Sequence, residues 1–323
     1  MPRNNRDRRD ANRRVVHVTN RCWKGLPFSP NRFMRRSLEA VLAKAQNKYQ
    51  IVIICYLFMG NHYHLILAGG GKRLSPFMNY IDGEIAKRMI RLYGNHWGGH
   101  FWQDRYHEQK LCSVDDVLNK TAYIFANPVK AGLVHKASEY PGASSIRALY
   151  RSDNKTSSLL PFTYPRRFKK LKSLRTSRKE ELRLCKEHIE RADEYLSLST
   201  DLFAWESCFK EQRTRGECLD TIRGLIAEAQ DEASRKAALG RERLLNQAVN
   251  LSYTPKKRHH SKTPFLEAAD SELRKVEIAS FRYFQTLCRD AWQKFSKGLH
   301  VIWPTGAYRP SHYWMAQVVG ATG

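Results

Sequence analysis

The residues best placed to do chemistry are His62 and His64, in the stretch Cys55-Tyr56-Leu57-Phe58-Met59-Gly60-Asn61-His62-Tyr63-His64-Leu65-Ile66-Leu67. Residues i and i+2 of a strand point the same way, so the two imidazoles share one face and Tyr63, Leu65 and Leu67 share the other. Two imidazoles on one strand face can hold one metal ion. A bare His-x-His is also what a solvent-facing pair in an amphipathic strand looks like, so the surroundings must decide.

A second set lies downstream. Ser113-Val114-Asp115-Asp116 has the form of a helix start, with Ser113 as N-cap and Asp116 reaching back. The helix should run to about Asn127, because Pro128 disfavours a helical residue before it. Leu118, Ala122 and Phe125 form its apolar stripe; Asp116, Lys120, Tyr123 and Asn127 fall opposite. Tyr123 is then a candidate nucleophile and the Asn127 amide oxygen a candidate metal ligand, one turn apart. Taken alone, Tyr123 reads as an ordinary surface tyrosine of an amphipathic helix.

The elements that position these groups follow from periodicity. Val15 to Cys22 alternates as a strand, and Asn31 to Tyr49 has helical spacing at Phe33, Leu38, Val41, Leu42 and Ala45. Ile51 to Phe58 is an almost unbroken apolar run, the pattern of a buried strand, and Gly60-Asn61 turns the chain into the His62 strand. Leu74 to Tyr93 is a second amphipathic helix, striped by Phe77, Ile81, Ile85 and Met89, and Arg105 to Cys112 a further strand. The order implies an α+β fold: an antiparallel sheet with helices packed on one face.

Composition limits the partners. The 323 residues carry a formal net charge of +25, which calls for a polyanion, nucleic acid before an anionic membrane surface. No apolar run nears the ~20 residues of a membrane span, and the basic start has no apolar stretch behind it, so it does not read as a secretory signal. Seven cysteines without a Cys-x-x-Cys fit a reduced, cytoplasmic protein. Gly69-Gly70-Gly71 lacks the Gly-Lys-Ser/Thr of a phosphate-binding loop.

Residues 1–14 read as a disordered basic arm, with Arg3, Arg6, Arg13 and Arg14 as candidate phosphate contacts. Residues 15–150 form the expected α+β unit, to which Arg21 and Arg105 add candidate DNA contacts. Residues 151–179 read as a basic linker in which Arg166, Arg167, Lys169 and Lys170 interleave with Tyr164 and Phe168, a composition suited to a DNA backbone and stacked bases. Residues 180–323 read as a mostly helical accessory domain for DNA binding or assembly, with helices over 180–196, 219–250 and 266–295. It includes a second basic loop at Lys256, Lys257 and Arg258 and an aromatic-rich end with Trp303, Tyr308, Tyr313 and Trp314.

Together these segments resemble the single-tyrosine HUH transposases. Tyr56 to Leu67 (YLFMGNHYHLIL) resembles the family's metal-binding strand, Gly99 to Tyr106 (GHFWQDRY) the segment after it, and Tyr123 to Val134 (YIFANPVKAGLV) its catalytic-tyrosine segment. His17 to Arg21 (HVTNR) resembles its first strand and Glu139 to Ser145 (EYPGASS) the end of its domain. The REP-associated tyrosine transposases are the most similar branch. The resemblance implies an HUH, ferredoxin-like catalytic domain over residues 15–150. It implies Mg²⁺ or Mn²⁺ on His62, His64 and Asn127, and Tyr123 attacking single-stranded DNA beside a recognised hairpin of a repetitive palindromic element. A 5′-phosphotyrosine and a free 3′-hydroxyl would result, in a bacterial, nucleoid-associated enzyme acting as monomer or homodimer. A domesticated hairpin-binding protein that does not cleave, a nicking enzyme of the same chemistry and a basic RNA-binding scaffold are the alternatives. Residues 151–323 resemble nothing that assigns them a role.

Overall fold

The chain is described by a computed structural model that covers residues 13–211, 213–254 and 265–307. Its first strand, Val15–Arg21 (β1), alternates, and each parity is buried against a different layer. Val16 and Val18 join one hydrophobic cluster and Val15 the other. Arg32–Tyr49 (α1) follows, started by the Asn31 side chain, which accepts from the Met34 amide at 2.8 Å. Val52–Phe58 (β2) and His62–Ala68 (β3) form the hairpin, Leu74–Tyr93 (α2) crosses over, His107–Leu111 (β4) returns, and Val114–Lys130 (α3) closes the unit.

The strands pair in the order β2-β3-β1-β4, all antiparallel. The α+β class and the antiparallel sheet are thus as expected, but the helices do not all lie on one face. Tyr63, Leu65 and Leu67 of β3 pack with Phe33, Leu38 and Val41 of α1 and Phe77, Ile81 and Ile85 of α2. Ile66 and Ala68, of the other parity, pack with Val114, Leu118 and Phe125 of α3. A β-bulge between Ile53 and Cys55 puts both Ile54 and Cys55 on the α3 side. Two-sided burial is why β2 is written as an apolar run rather than an alternation.

The later segments depart from the sequence reading. The stretch 151–179 contains Lys155–Phe162 (β5), and the helix expected over 180–196 is Arg178–Glu190 (α4), followed by Glu194–Asp201 (β6). β5 and β6 pair as an antiparallel ribbon. The alternation of Leu196, Leu198 and Thr200, all buried, is a strand signal that the preceding Glu- and Arg-rich helix masks. The helix expected over 219–250 is two: Arg215–Ser234 (α5), capped by Thr214, and Arg241–Asn246 (α6), begun at Gly240 with φ of 85°. Leu266–Glu267 (β7) adds a parallel edge beside β4, and Ser271–Ser296 (α7) ends the described elements. Helix α3 does not stop at Asn127; Pro128 sits inside its last turn and Gly132, with φ of 67°, ends it.

These later elements share the first unit's cores. Leu160, Phe162, Leu196 and Leu198 belong to the cluster under α1 and α2; Phe203, Trp205, Cys218, Ile222 and Ile226 belong to the one under α3. Arg88 of α2 is fully buried between the rings of Phe162 and Phe168, 4.8 and 5.0 Å from their centroids. It donates to the Thr163 carbonyl at 2.7 Å and to Ser37 Oγ at 3.2 Å. Among the described residues no helix is long and apolar enough to cross a membrane.

The start of α3 carries a strong constraint. The Asp116 carboxylate is buried and accepts from the Ser113 amide at 2.9 Å, the Ser113 hydroxyl at 2.7 Å and the Ala269 amide at 2.8 Å. It closes the expected capping box and also ties the segment after β7 to the helix bearing Tyr123. Asp116→Ala leaves three part-buried donors without that acceptor, so it should cost roughly 2–3 kcal/mol in urea unfolding. A loss under 1 kcal/mol would contradict this account of the cap.

Candidate active site

The α3-facing side of the sheet is apolar at β2 and at Val15, Ile66, Ala68 and Leu111, and polar toward the His62 end of β3, β1 and β4. Register explains this. Thr19 lies opposite His64 on one side and His107 on the other, His17 opposite Ile66 and Gln109, and Arg21 opposite His62. His62 and His64 therefore open a polar strip that continues through His17, Thr19 and Arg21, all of one parity on β1. Helix α3 lies over it with Lys120, Tyr123 and Asn127 facing down.

The distances are short. The His62 and His64 rings lie 5.1 Å apart, nearly perpendicular. His62 donates from Nδ1 to Asn61 Oδ1 at 2.9 Å. His64 Nε2 is 3.1 Å from Asn127 Nδ2, and its Nδ1 is 3.0 Å from His17 Nε2. The Tyr123 ring meets the His64 ring edge-on at 5.9 Å. His64 is buried, whereas Tyr123 is 42 % exposed, so its phenol is reachable from solvent. Lys120 Nζ lies 5.2 Å and Lys130 Nζ 5.8 Å from the Tyr123 ring centroid. Lys120 also pairs with Glu267 at 2.5 Å. Burial, then the Lys120 charge, lowers His17 to about 3, so it is neutral at physiological pH.

As a donor set this is two imidazoles and one amide. The Asn127 amide presents its oxygen after a half-turn about its last bond, the O/N ambiguity common to such side chains. A divalent cation suits these ligands, with remaining positions open to phosphate oxygens and water. Among the described residues no group of three His, Cys, Asp or Glu forms a ready-made cage.

A half-buried carboxylate braces the strand from behind. Tyr63 donates its hydroxyl to Asp82 Oδ1 at 2.7 Å, and Asn20 Nδ2 donates to Oδ2 at 3.0 Å. Burial raises the Asp82 carboxyl from its ordinary 3.8 to about 6, against the opposing pull of those two bonds. The folded state therefore binds more protons than the unfolded chain between these values. The contribution of Asp82 to stability is full below about pH 4 and is lost as pH rises through about 6. Relative to Asp82→Asn, the natural protein should lose about 3 kcal/mol between pH 4 and pH 7. Parallel stability–pH curves for the two proteins would contradict the assignment.

The other sequence candidates scatter. Arg14 pairs with Glu108 at 3.2 Å, Arg13 is exposed before β1, and Arg105 lies in the loop before β4. Arg21 stands beside His62, its Nε buried without a hydrogen-bond partner. Arg166 stacks on Tyr164, with the guanidinium 5.6 Å from the ring centroid, and Arg167 pairs with Asp193 at 2.8 Å. Lys169 and Lys170 line a cavity of about 230 Å³ with Phe33, Leu92, Phe168 and His188. That cavity lies on the α1 and α2 side of the sheet, so these four basic residues are not brought to Tyr123. Arg3, Arg6, Lys256, Lys257 and Arg258 lie outside the described residues, as do Tyr308, Tyr313 and Trp314.

Sequence reasoning missed His17, Lys130 and Asp82 as parts of the site. For His17 there was a signal: His17, Thr19 and Arg21 put polar groups at every second position of a strand that also holds Val15, Val16 and Val18. Asp82 carried none, because its partner Tyr63 is reached only through the tertiary fold.

Residues 16–127 match the family model described as "Transposase IS200 like". That segment begins within β1 and ends on Asn127, so it spans the histidines, the tyrosine and the asparagine. Among solved structures the chain is similar to a "REP associates tyrosine transposase bound to a REP hairpin", at 20% identity over 43% of this chain and 81% of that one, with a TM-score of 0.35. No curated protein matches the chain. Over residues 16–127, then, the chain is similar to the IS200-like transposases.

Proposed function

We propose that the protein is a metal-dependent, single-strand DNA endonuclease and strand transferase that recognises hairpin DNA of a repetitive palindromic element. Tyr123 is the nucleophile, and His62, His64 and Asn127 hold Mg²⁺ or Mn²⁺. The observation that carries the reading is the convergence of α3 on β3: Asn127 lies 3.1 Å from His64 Nε2, and the exposed Tyr123 meets the same imidazole at its edge. The resemblance of this segment to the REP-associated tyrosine transposases and the net charge of +25 support the substrate class.

The bound cation would neutralise a nonbridging phosphate oxygen, whose negative charge otherwise repels a nucleophile. Tyr123 Oη would form a bond to phosphorus while the bond to the 3′ oxygen breaks. The DNA downstream is left on the tyrosine through its 5′ phosphate, and the departing 3′ oxygen takes up a proton. Lys120 and Lys130, flanking the ring, would meet the phosphate charge from the helix side. Arg21, across the strand from His62, would meet it from the sheet side. Because the covalent link keeps the ester, attack by a 3′-hydroxyl rejoins strands without ATP.

The test is incubation with labelled hairpin DNA from the protein's own genomic flanks, with Mn²⁺, Mg²⁺ or EDTA. The reading expects cleavage with either metal, none in EDTA, and losses of 100-fold or more for His62→Ala and for His64→Ala. Tight binding without cleavage on every flanking hairpin would replace it with a non-cleaving hairpin-binding protein. Cleavage that persists in EDTA would remove the cation from the proposal.

A further inference from the structure

We propose that His17 is a positioning residue: it holds His64 by Nδ1, so that Nε2 is the nitrogen presented to Asn127 and Tyr123. The inference rests on the reading that His62, His64 and Asn127 hold a cation. It goes beyond that reading by naming the group that makes His64 a ligand.

His17 Nε2 lies 3.0 Å from His64 Nδ1, and the two rings are within 11° of coplanar. Both rings are buried. One proton lies between these nitrogens, and its owner decides what His64 can do. If His17 owns it, the proton of neutral His64 sits on Nε2, which cannot then ligate. If His64 owns it, Nε2 is bare and aimed at α3. The surroundings favour the second arrangement. With the Asn127 N–H 3.1 Å from Nε2 that nitrogen must accept, and with the amide turned to give its oxygen to a cation Nε2 must ligate; either way it needs its lone pair. On the other side of His17, Gln109 of β4 is its cross-strand neighbour. His17, His64 and Asn127 then form one chain of donors and acceptors, running from β1 through β3 to α3. A ligating histidine is commonly oriented by a partner on its other nitrogen. Here the partner is another histidine, carried by the neighbouring strand.

Two substitutions separate orientation from packing. His17→Phe keeps a ring in the space but removes the acceptor. His17→Gln places an amide oxygen near the Nε2 position and restores it. Mn²⁺ affinity of the metal-free protein, read by electron paramagnetic resonance, should fall 10–100-fold in His17→Phe and recover to within a few-fold in His17→Gln. Nitrogen and carbon NMR shifts of His64 in the metal-free natural protein should report the proton on Nδ1. That readout needs neither metal nor DNA, so it stands or falls apart from the proposed reaction. A proton on His64 Nε2 would overturn the inference, as would a Phe variant with unchanged affinity or a Gln variant no better than the Phe variant. If the Phe variant does not fold, the position of the His64 proton decides alone.

Discussion

Tyr123→Phe should abolish covalent capture of DNA and reduce cleavage by at least about 10⁴-fold, with hairpin affinity and thermal stability nearly unchanged. The lost atom is a single oxygen on a side chain that is 42 % exposed, so its effect on stability should stay within about 0.5 kcal/mol. Other tyrosine hydroxyls near the sheet are committed to the fold. Tyr63 donates to Asp82, Tyr93 to the Pro27 carbonyl, Tyr140 to the Phe58 carbonyl, Tyr56 to Glu39, and the Tyr106 hydroxyl meets that of Ser75. Tyr123 instead faces solvent on one side and His64 on the other. Cleavage assays with Tyr123→Phe, with Tyr106→Phe as a control, check the assignment. Covalent capture that survives the first substitution and vanishes in the second would reverse it.

A chain ended after Tyr150 should fail to fold, although the motifs of the reaction lie before that point. Ending there removes Phe162, Leu160, Leu196 and Leu198 from beneath α1 and α2, and Trp205, Phe203, Ile222 and Ile226 from beneath α3. Truncating even one buried Leu or Phe typically costs 2–5 kcal/mol, against a total stability of about 5–15 kcal/mol. The Arg88 guanidinium would also lose the Thr163 carbonyl and both aromatic faces while still enclosed by α2. Circular dichroism and urea unfolding of residues 13–150 should show no cooperative transition. A fragment that melts cooperatively near the temperature of the full chain would mean that the later half is a separate domain.

The contrast between the two halves shows what the sequence carries. His-x-His on a strand and Tyr-x-x-x-Asn on a helix are local periodicities, so faces and neighbours followed from spacing alone. Ser113 with Asp116 fixed the helix start, and the structure has the same cap. The two-sided sheet was also written locally, in the unbroken apolar run of β2, but a one-sided arrangement was expected because the partners of each side lie far along the chain. β5 was hidden because Ser157, Ser158 and Leu159 are exposed, which left an alternation too weak to read without its partner β6. Basic residues drew attention by composition, yet composition does not say which face they occupy. Arg21 lies beside His62, whereas Arg166, Arg167, Lys169 and Lys170 are held across the sheet from Tyr123. His17 became part of the site only through strand register, a tertiary property.

The central claim is that α3 delivers a nucleophile to a cation held on β3. It is tested most directly by locating the bond. Full-length protein is incubated with Mn²⁺ and hairpin DNA labelled at its 3′ end, the covalent product is digested with trypsin, and the labelled peptide is sequenced by mass spectrometry. Thr121-Ala122-Tyr123-Ile124-Phe125-Ala126-Asn127-Pro128-Val129-Lys130 contains a single tyrosine. The account predicts the label on that peptide, joined through a 5′ phosphate to Tyr123, in the presence of metal and not in EDTA. The label on any other peptide, or cleavage that leaves no label on protein, would contradict it.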